Sequence, residues 1–153
     1  CNLCVLRMDH HCPWVYNCIG FRNHKYFFLL LVYTAADLSF VAATMLDTVW
    51  WSTRADVSVL LTLIVLFGEG LAIVLLFSMM VFLSFHVWLM FHALTTVEFC
   101  EKSLRKVGYN SSMYDQGCYR NICEVLGPQP LCWLLPIMLP TGDGLNWGAV
   151  PQK

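Results

Sequence analysis

Charged side chains are scarce in this sequence. Asp, Glu, Lys and Arg make up 12% of its 153 residues, whereas hydrophobic residues make up 58%. A soluble domain carries roughly a quarter charged residues, so this composition favours a membrane protein. The formal net charge is only -1 and the sequence has no general basic surface, so we expect no nucleic-acid partner.

The beginning of the sequence also lacks familiar signals. It does not start with Met, and no basic stretch is followed by a short apolar run and a small-residue cleavage site, so no signal peptide is predicted. The opening Cys1-Asn2-Leu3-Cys4 resembles the middle of a cysteine-rich module. We therefore expect the chain to be a fragment of a longer protein.

Two long segments contain almost no charge. Residues 26–51 carry two aspartates and residues 57–90 carry one glutamate. A membrane-spanning helix needs roughly 20 apolar residues, so each segment is long enough. We predict a transmembrane helix over 26–51, a short lumenal link over 52–56 and a second transmembrane helix over 57–92 that extends into the cytosol.

The short link makes the two helices antiparallel, with both outer ends on one side of the membrane. Only Arg54 of the nine Lys and Arg residues lies in the link. Because basic residues concentrate on the cytosolic side, we expect the head (1–25) and the tail (93–153) to be cytosolic. Cytosolic thiols are kept reduced, so a disulfide framework is not expected.

Acidic residues in the apolar segments are costly in lipid. Asp37 and Glu69 are expected to face protein, water or each other. Two roles remain open for them: a structural hydrogen bond, or a place in the wall of a substrate cavity.

The head is rich in metal-ligating side chains. Cys1, Cys4, His11 and Cys18 fall within eighteen residues, and thiolate and imidazole ligands are typical of closed tetrahedral zinc sites. A redox-active Cys-x-x-Cys is the competing interpretation. Zinc is favoured because further ligands follow closely and no βαβ pattern surrounds the pair.

A second set of residues in the head points to reactivity. If His11 faces a metal, His10 can approach Cys12 and raise its nucleophilicity, while Asp9 orients the imidazole. Cys12, His10 and Asp9 are therefore candidate catalytic residues. From spacing alone, the same four adjacent residues are also compatible with a metal cluster that has no catalytic role.

The run Asp9-His10-His11-Cys12-Pro13-Trp14-Val15, followed by Asn17-Cys18-Ile19-Gly20 and Asn23, closely resembles the DHHC family of protein S-acyltransferases, or palmitoyltransferases. Thr95-Thr96-Val97-Glu98 resembles the family's TTxE motif, with Thr95, Thr96 and Glu98 as supporting residues. Residues 121–127 resemble its C-terminal motif centred on an asparagine, here Asn121. One departure is Tyr16, where the family usually has asparagine, and we expect this change to be tolerated.

The resemblance implies a two-step reaction. Cys12 takes a fatty acyl group from long-chain acyl-CoA as a thioester, and a cysteine of a target protein then removes it. His10 acts as base, Asp9 orients it, and Thr96 or a neighbour positions Asp9.

The resemblance also changes the expected zinc ligands. Members bind two structural zinc ions, which divides the ligands as Cys1, His11 and Cys18 on one ion and Cys4 on the other, with the rest upstream. The residue-based interpretation puts all four on one ion.

The predicted fold class is thus mostly α: a multi-pass membrane protein with an N-terminal zinc module and two antiparallel transmembrane helices, a fragment of a four-helix membrane enzyme. Expected partners are acyl-CoA, cytosol-facing cysteines of membrane-associated proteins and the lipid bilayer, in the ER, Golgi or plasma membrane. Two rival functions are a non-catalytic zinc-stabilised scaffold and a thiol-disulfide enzyme that uses Cys1 and Cys4.

The remaining cysteines and histidines receive no site role. Two interpretations are open for the tail cysteines, buried core residues as the favoured one and acylation near the membrane as the other: Cys100, Cys118, Cys123 and Cys132. The histidines outside the motif are expected to be interfacial or hydrogen-bonded polar residues: His24, His86 and His92.

Overall fold

The computed structural model describes residues 3–54, 56–103, 114–137 and 144, with the backbone alone for 101–103. In this part of the chain the elements are β1 (His10–Cys12), β2 (Asn17–Ile19), α1 (His24–Ser52), α2 (Val59–Phe91), α3 (Thr96–Ser103), α4 (Cys118–Leu126) and a 3₁₀ turn (Pro130–Cys132). The predicted fold class, mostly helical with two long apolar helices, is confirmed.

The chain divides into two compact units, which are described separately. The helical unit is Leu30–Ser84, and the site unit combines Cys1–Leu29 with Phe85–Lys153. Helix α1 begins in the site unit and helix α2 ends in it. Most of the length of each helix belongs to the helical unit.

Helices α1 and α2 are long and apolar enough to cross a membrane. Their 29 and 33 residues correspond to about 44 and 50 Å at 1.5 Å per residue. Only 22% and 11% of their most apolar stretches are buried inside the protein. A core helix of a soluble protein would be mostly buried, so these exposed leucine, valine and phenylalanine side chains support the membrane prediction.

Contacts within the helical unit run in opposite directions along the two helices. The Thr62 hydroxyl donates to the Ser52 carbonyl at 3.1 Å. A Cβ at Gly68 would lie 3.2 Å from Met45 Cε. From Thr62 to Gly68 the chain advances along α2, while the contacted residues go back along α1 from Ser52 to Met45. The two helices are therefore antiparallel. Their ends differ from the predicted bounds by one or two residues.

Several hydroxyl groups in the two helices hydrogen-bond within their own helix. Ser39, Thr44 and Ser78 each donate to the carbonyl four residues earlier, so they bring no unpaired donor into an apolar surrounding.

The acidic residues of the two helices differ from each other in burial. Asp37 is exposed, whereas Glu69 is buried and its carboxyl oxygens have no hydrogen-bond partner among the described residues.

A short β-hairpin, formed by β1 and β2, lies in the first part of the site unit. Its register pairs His10 with Ile19, His11 with Cys18, and Cys12 with Asn17. Gly20 follows β2 at a close approach to the preceding segment, where a Cβ would lie 2.5 Å from Val5 Cγ1. Only glycine fits that space, so the hairpin packs tightly against residues 5–7.

Asn23 joins this hairpin to α1. Its side chain accepts from the Gly20 amide at 2.8 Å and donates to the Cys18 carbonyl at 2.9 Å. Its own carbonyl accepts the Phe27 amide, which begins the helix. The asparagine therefore fixes the direction in which α1 leaves the hairpin.

Helix α2 ends in a turn that redirects the chain. The Leu94 amide donates to the Leu89 carbonyl and the Ala93 amide to the Met90 carbonyl, with Ala93 at φ 49°. This is the Schellman arrangement. The Arg7 guanidinium donates to the Ala93 carbonyl at 2.7 Å and pairs with Glu124 at 3.3 Å. The end of α2 is thereby held against the segment that precedes β1.

Candidate active site

Strand β1 separates the two histidines of the Asp-His-His-Cys run. Successive side chains of a strand point to opposite faces, so His10 and Cys12 share one face and His11 occupies the other. The register sets His11 opposite Cys18, and His11 Nδ1 lies 3.5 Å from Cys18 Sγ.

Cys12 is a buried free thiol, with 5% of its surface exposed. Within the described residues no hydrogen bond joins its sulfur to His10, although both side chains project from the same face of β1. Hydrogen bonds between catalytic groups are often long in the absence of substrate and shorten when it binds. The arrangement is therefore compatible with His10 serving Cys12.

The Asp9 carboxylate accepts three hydrogen bonds. It is 1% exposed. Its Oδ1 accepts from the Thr96 amide at 2.7 Å, and its Oδ2 accepts from His10 Nδ1 at 2.6 Å and from the Thr96 hydroxyl at 3.0 Å. The contact between Asp9 and Thr96 that the family resemblance implies is present.

These contacts keep Asp9 ionised. Burial acts to raise its pKa, but the nearby His24 and the hydrogen bonds from Thr96 and His10 together outweigh it, so the pKa lies below the usual 3.8. A carboxylate can only accept, so His10 Nδ1 carries the hydrogen of their bond. The other ring nitrogen, Nε2, is left as the basic atom.

Two of the TTxE residues, Thr95 and Glu98, cap the beginning of α3. The Thr95 amide donates to Glu98 Oε2 at 2.7 Å, and the Glu98 amide donates to the Thr95 hydroxyl at 3.2 Å. This reciprocal pair is a capping box. It fixes the first turn of α3, whose amide at Thr96 points at the Asp9 carboxylate, where the positive end of a helix favours an anion.

Two histidines that the sequence analysis left without a role lie at this site. One ligand atom each from Asp9, His24 and His86 falls within 4.8 Å of the others. The His86 ring lies 5.9 Å from the His10 ring, and Phe27 contacts both. No spacing rule could have found them, because the two histidines lie 62 positions apart in the sequence, on different helices.

The predicted zinc ligands are only partly brought together. His11 and Cys18 fit two neighbouring corners of a tetrahedral zinc site, where ligand atoms lie about 3.6 Å apart. Cys4 is an exposed free thiol, and Cys1 lies outside the described residues. Cys18 is disulfide-bonded, contrary to the expectation of reduced thiols, and its sulfur can bind zinc only when that bond is reduced.

Asn121 ties the tail to the end of α2. It is 1% exposed, and its side-chain amide donates to the Phe91 carbonyl and to Asp115, both at 2.8 Å. Its oxygen accepts the Gln116 amide at 3.1 Å. Phe91 is the last residue of α2, so the asparagine satisfies a carbonyl that the helix leaves unpaired.

The expectation of buried tail cysteines was wrong. Cys100 and Cys118 are exposed, and Cys123 and Cys132 are half-buried. The short helices that carry them present these positions outward, which sequence composition alone does not reveal.

Comparison with known proteins identifies the family of this chain. The DHHC palmitoyltransferase family model matches residues 1–103. Palmitoyltransferase ZDHHC15 of Xenopus laevis is 33% identical over 154 residues, which cover 96% of this chain and 44% of that protein. Palmitoyltransferase ZDHHC2 of Danio rerio is 33% identical (96% and 41% covered), and palmitoyltransferase ZDHHC15 of Homo sapiens is 36% identical (94% and 43% covered).

The chain therefore belongs to the DHHC palmitoyltransferase family, as its motifs predict. It spans about two fifths of the length of these curated relatives.

Proposed function

We propose that this chain carries the reactive centre of a protein S-palmitoyltransferase, in which Cys12 takes a fatty acyl group from acyl-CoA and passes it to a cysteine of a target protein. The observation that carries the proposal is the buried Asp9–His10 hydrogen bond, which lies next to a free thiol on the same strand. Membership of a palmitoyltransferase family supports the same reaction.

In the first transfer, His10 Nε2 takes the proton of the Cys12 thiol. The sulfur attacks the thioester carbonyl of acyl-CoA, a new carbon–sulfur bond forms, and the bond to the CoA sulfur breaks. The CoA thiolate leaves and receives the proton from His10. Asp9 stabilises the imidazolium while the proton is held.

The second transfer repeats these roles with a different thiol. His10 takes the proton of the target cysteine, whose sulfur attacks the acyl group on Cys12. The bond between the acyl carbon and Cys12 breaks, and His10 returns the proton to Cys12. The fatty acyl group ends on the target protein, and the enzyme is regenerated.

The proposal extends to the metal and the membrane. Structural zinc would be held by His11 and Cys18 together with Cys1, and a second ion by Cys4, which would fix the hairpin that carries Cys12. The site would face the cytosol, where the targets are cysteines of membrane-associated proteins in the ER, Golgi or plasma membrane. The acyl chain would lie against apolar helices, since each buried CH₂ contributes about 0.8 kcal/mol.

The reaction is tested by incubating the full-length protein with a labelled long-chain acyl-CoA. We expect a hydroxylamine-sensitive adduct that Cys12→Ser abolishes. The control is Cys118→Ser, which removes an exposed free thiol outside the site and should label like wild type. Equal labelling of Cys12→Ser would refute the proposal, and zinc binding without any adduct would favour the scaffold function.

A second experiment tests whether His11 binds the metal while His10 transfers the proton. His11→Ala should lower the zinc content of the purified protein, whereas His10→Ala should keep the zinc and slow acylation by roughly 100-fold or more. Loss of zinc in His10→Ala would show that His10 is a ligand. Full acylation activity in His10→Ala would remove it from the reaction.

A further inference from the structure

His86 lies in the last two turns of α2 and is 4% exposed. Its ring contacts three others: His10 at 5.9 Å, Phe27 at 5.0 Å and Phe85 at 5.6 Å between centroids. Phe27 also meets the His10 ring edge-on at 4.9 Å. The rings of His10, Phe27 and His86 thus form a triangle that restricts rotation of the His10 imidazole.

The polar atoms of His86 also face the site. A ring nitrogen of His86 and one of His24 lie within 4.8 Å of each other and of an Asp9 oxygen. Polar atoms within this distance can be joined by a direct hydrogen bond or through one bridging water. A phenylalanine at position 86 would preserve the ring triangle but would bring no polar atom toward Asp9.

The same cluster has the residue types of a metal site, but the Asp9 contacts favour a hydrogen-bonded network. Both Asp9 oxygens already accept hydrogen bonds, three in all, from His10 and Thr96. A carboxylate has roughly four lone-pair sites, so one is left for a further partner. His86 is therefore placed to support the Asp9–His10 pair in its present geometry.

We propose that His86 is a positioning residue for the acyl transfer: its ring and its polar edge hold Asp9 and His10 in the orientation that presents His10 Nε2 to Cys12. The inference rests on the proposed function. His86 itself exchanges no proton with substrate. Its effect is on the rate of the acylation step and not on the binding of acyl-CoA.

The test compares single-turnover acylation of the full-length protein by labelled acyl-CoA in four forms: wild type, His86→Phe, His86→Gln and His92→Phe. His92 is a matched control, because it is exposed and lies six residues further along, at the end of α2, against Trp88. We expect His86→Phe to lower the maximal acylation rate about 10-fold with an unchanged acyl-CoA concentration at half-maximal rate.

We expect His86→Gln, which keeps a polar group, to recover part of that loss, and His92→Phe to match wild type. Melting temperature and zinc content are measured on each form. A His86→Phe protein that acylates like wild type would overturn the inference. Loss of the fold in both His86 variants would also overturn it, since His86 would then act in folding. Absence of an adduct in wild type would instead refute the proposed function itself.

Discussion

At the scale of single residues, Asp9 shows how a buried charge is made tolerable. An ionised carboxylate out of water costs several kcal/mol unless donors surround it, and Asp9 has three. Two come from Thr96, 87 residues later in the sequence. The family resemblance named Thr96, but spacing alone could not have paired it with Asp9.

Tyr16 shows a backbone cost at an exposed position. It adopts φ 49° in the loop between β1 and β2, and its side chain is 92% exposed. The left-handed region disfavours most side chains but tolerates asparagine, which is the usual residue of the family here. The structure thus supplies a physical reason for that preference.

We therefore expect Tyr16→Asn to increase the free energy of unfolding by roughly 0.5–1 kcal/mol, because backbone strain falls while little packing is lost. Thermal melting of the protein in detergent micelles measures the change. Tyr16→Phe keeps the same Cβ and should melt like wild type. If the two variants melt at the same temperature, the loop is not strained by its side chain.

At the scale of elements, the sequence predicted the long helices well and the short elements poorly. A continuous apolar run defines α1 and α2, so the predicted ends are within two residues of those observed. Strands β1 and β2 have three residues each, too few to show a period of two. Helix α3 was predicted only as a motif, and its capping box explains why threonine and glutamate stand three positions apart.

Loss of the capping box should therefore reach the active site. We expect Glu98→Ala to lower the free energy of unfolding by about 1 kcal/mol and to slow acylation, because the first turn of α3 no longer aligns Thr96 with Asp9. Glu98→Gln can form the same box and is the matched control. The role of the box is disproved if Glu98→Ala acylates as fast as Glu98→Gln.

At the scale of the whole molecule, the site is assembled from residues that lie far apart in the sequence. Asp9, His24, His86 and Thr96 come from the hairpin, both long helices and α3. The sequence indicated the candidate run Asp9 to Cys12 because its members are adjacent. It could not predict the two histidines, since their convergence depends on how the helix ends meet the hairpin.

A substitution at Asn121 tests how much the tail stabilises the fold. We expect Asn121→Ala to lower the free energy of unfolding by roughly 1–3 kcal/mol, because the Phe91 carbonyl and the Gln116 amide each lose their partner. Thermal melting measures the loss, and the exposed neighbour Arg120→Ala is the control. Equal melting temperatures for the two variants would show that the tail contributes little to the fold.

The hydrogen bond between Asp9 and His10 also limits how protons can flow through a turnover. With Nδ1 committed to the carboxylate, His10 has a single nitrogen for exchange. Under the proposed chemistry, that nitrogen must have given up its proton before it can accept one from the next thiol. The acylated enzyme would therefore wait with a neutral imidazole, and each half of the cycle would neither take up nor release a net proton.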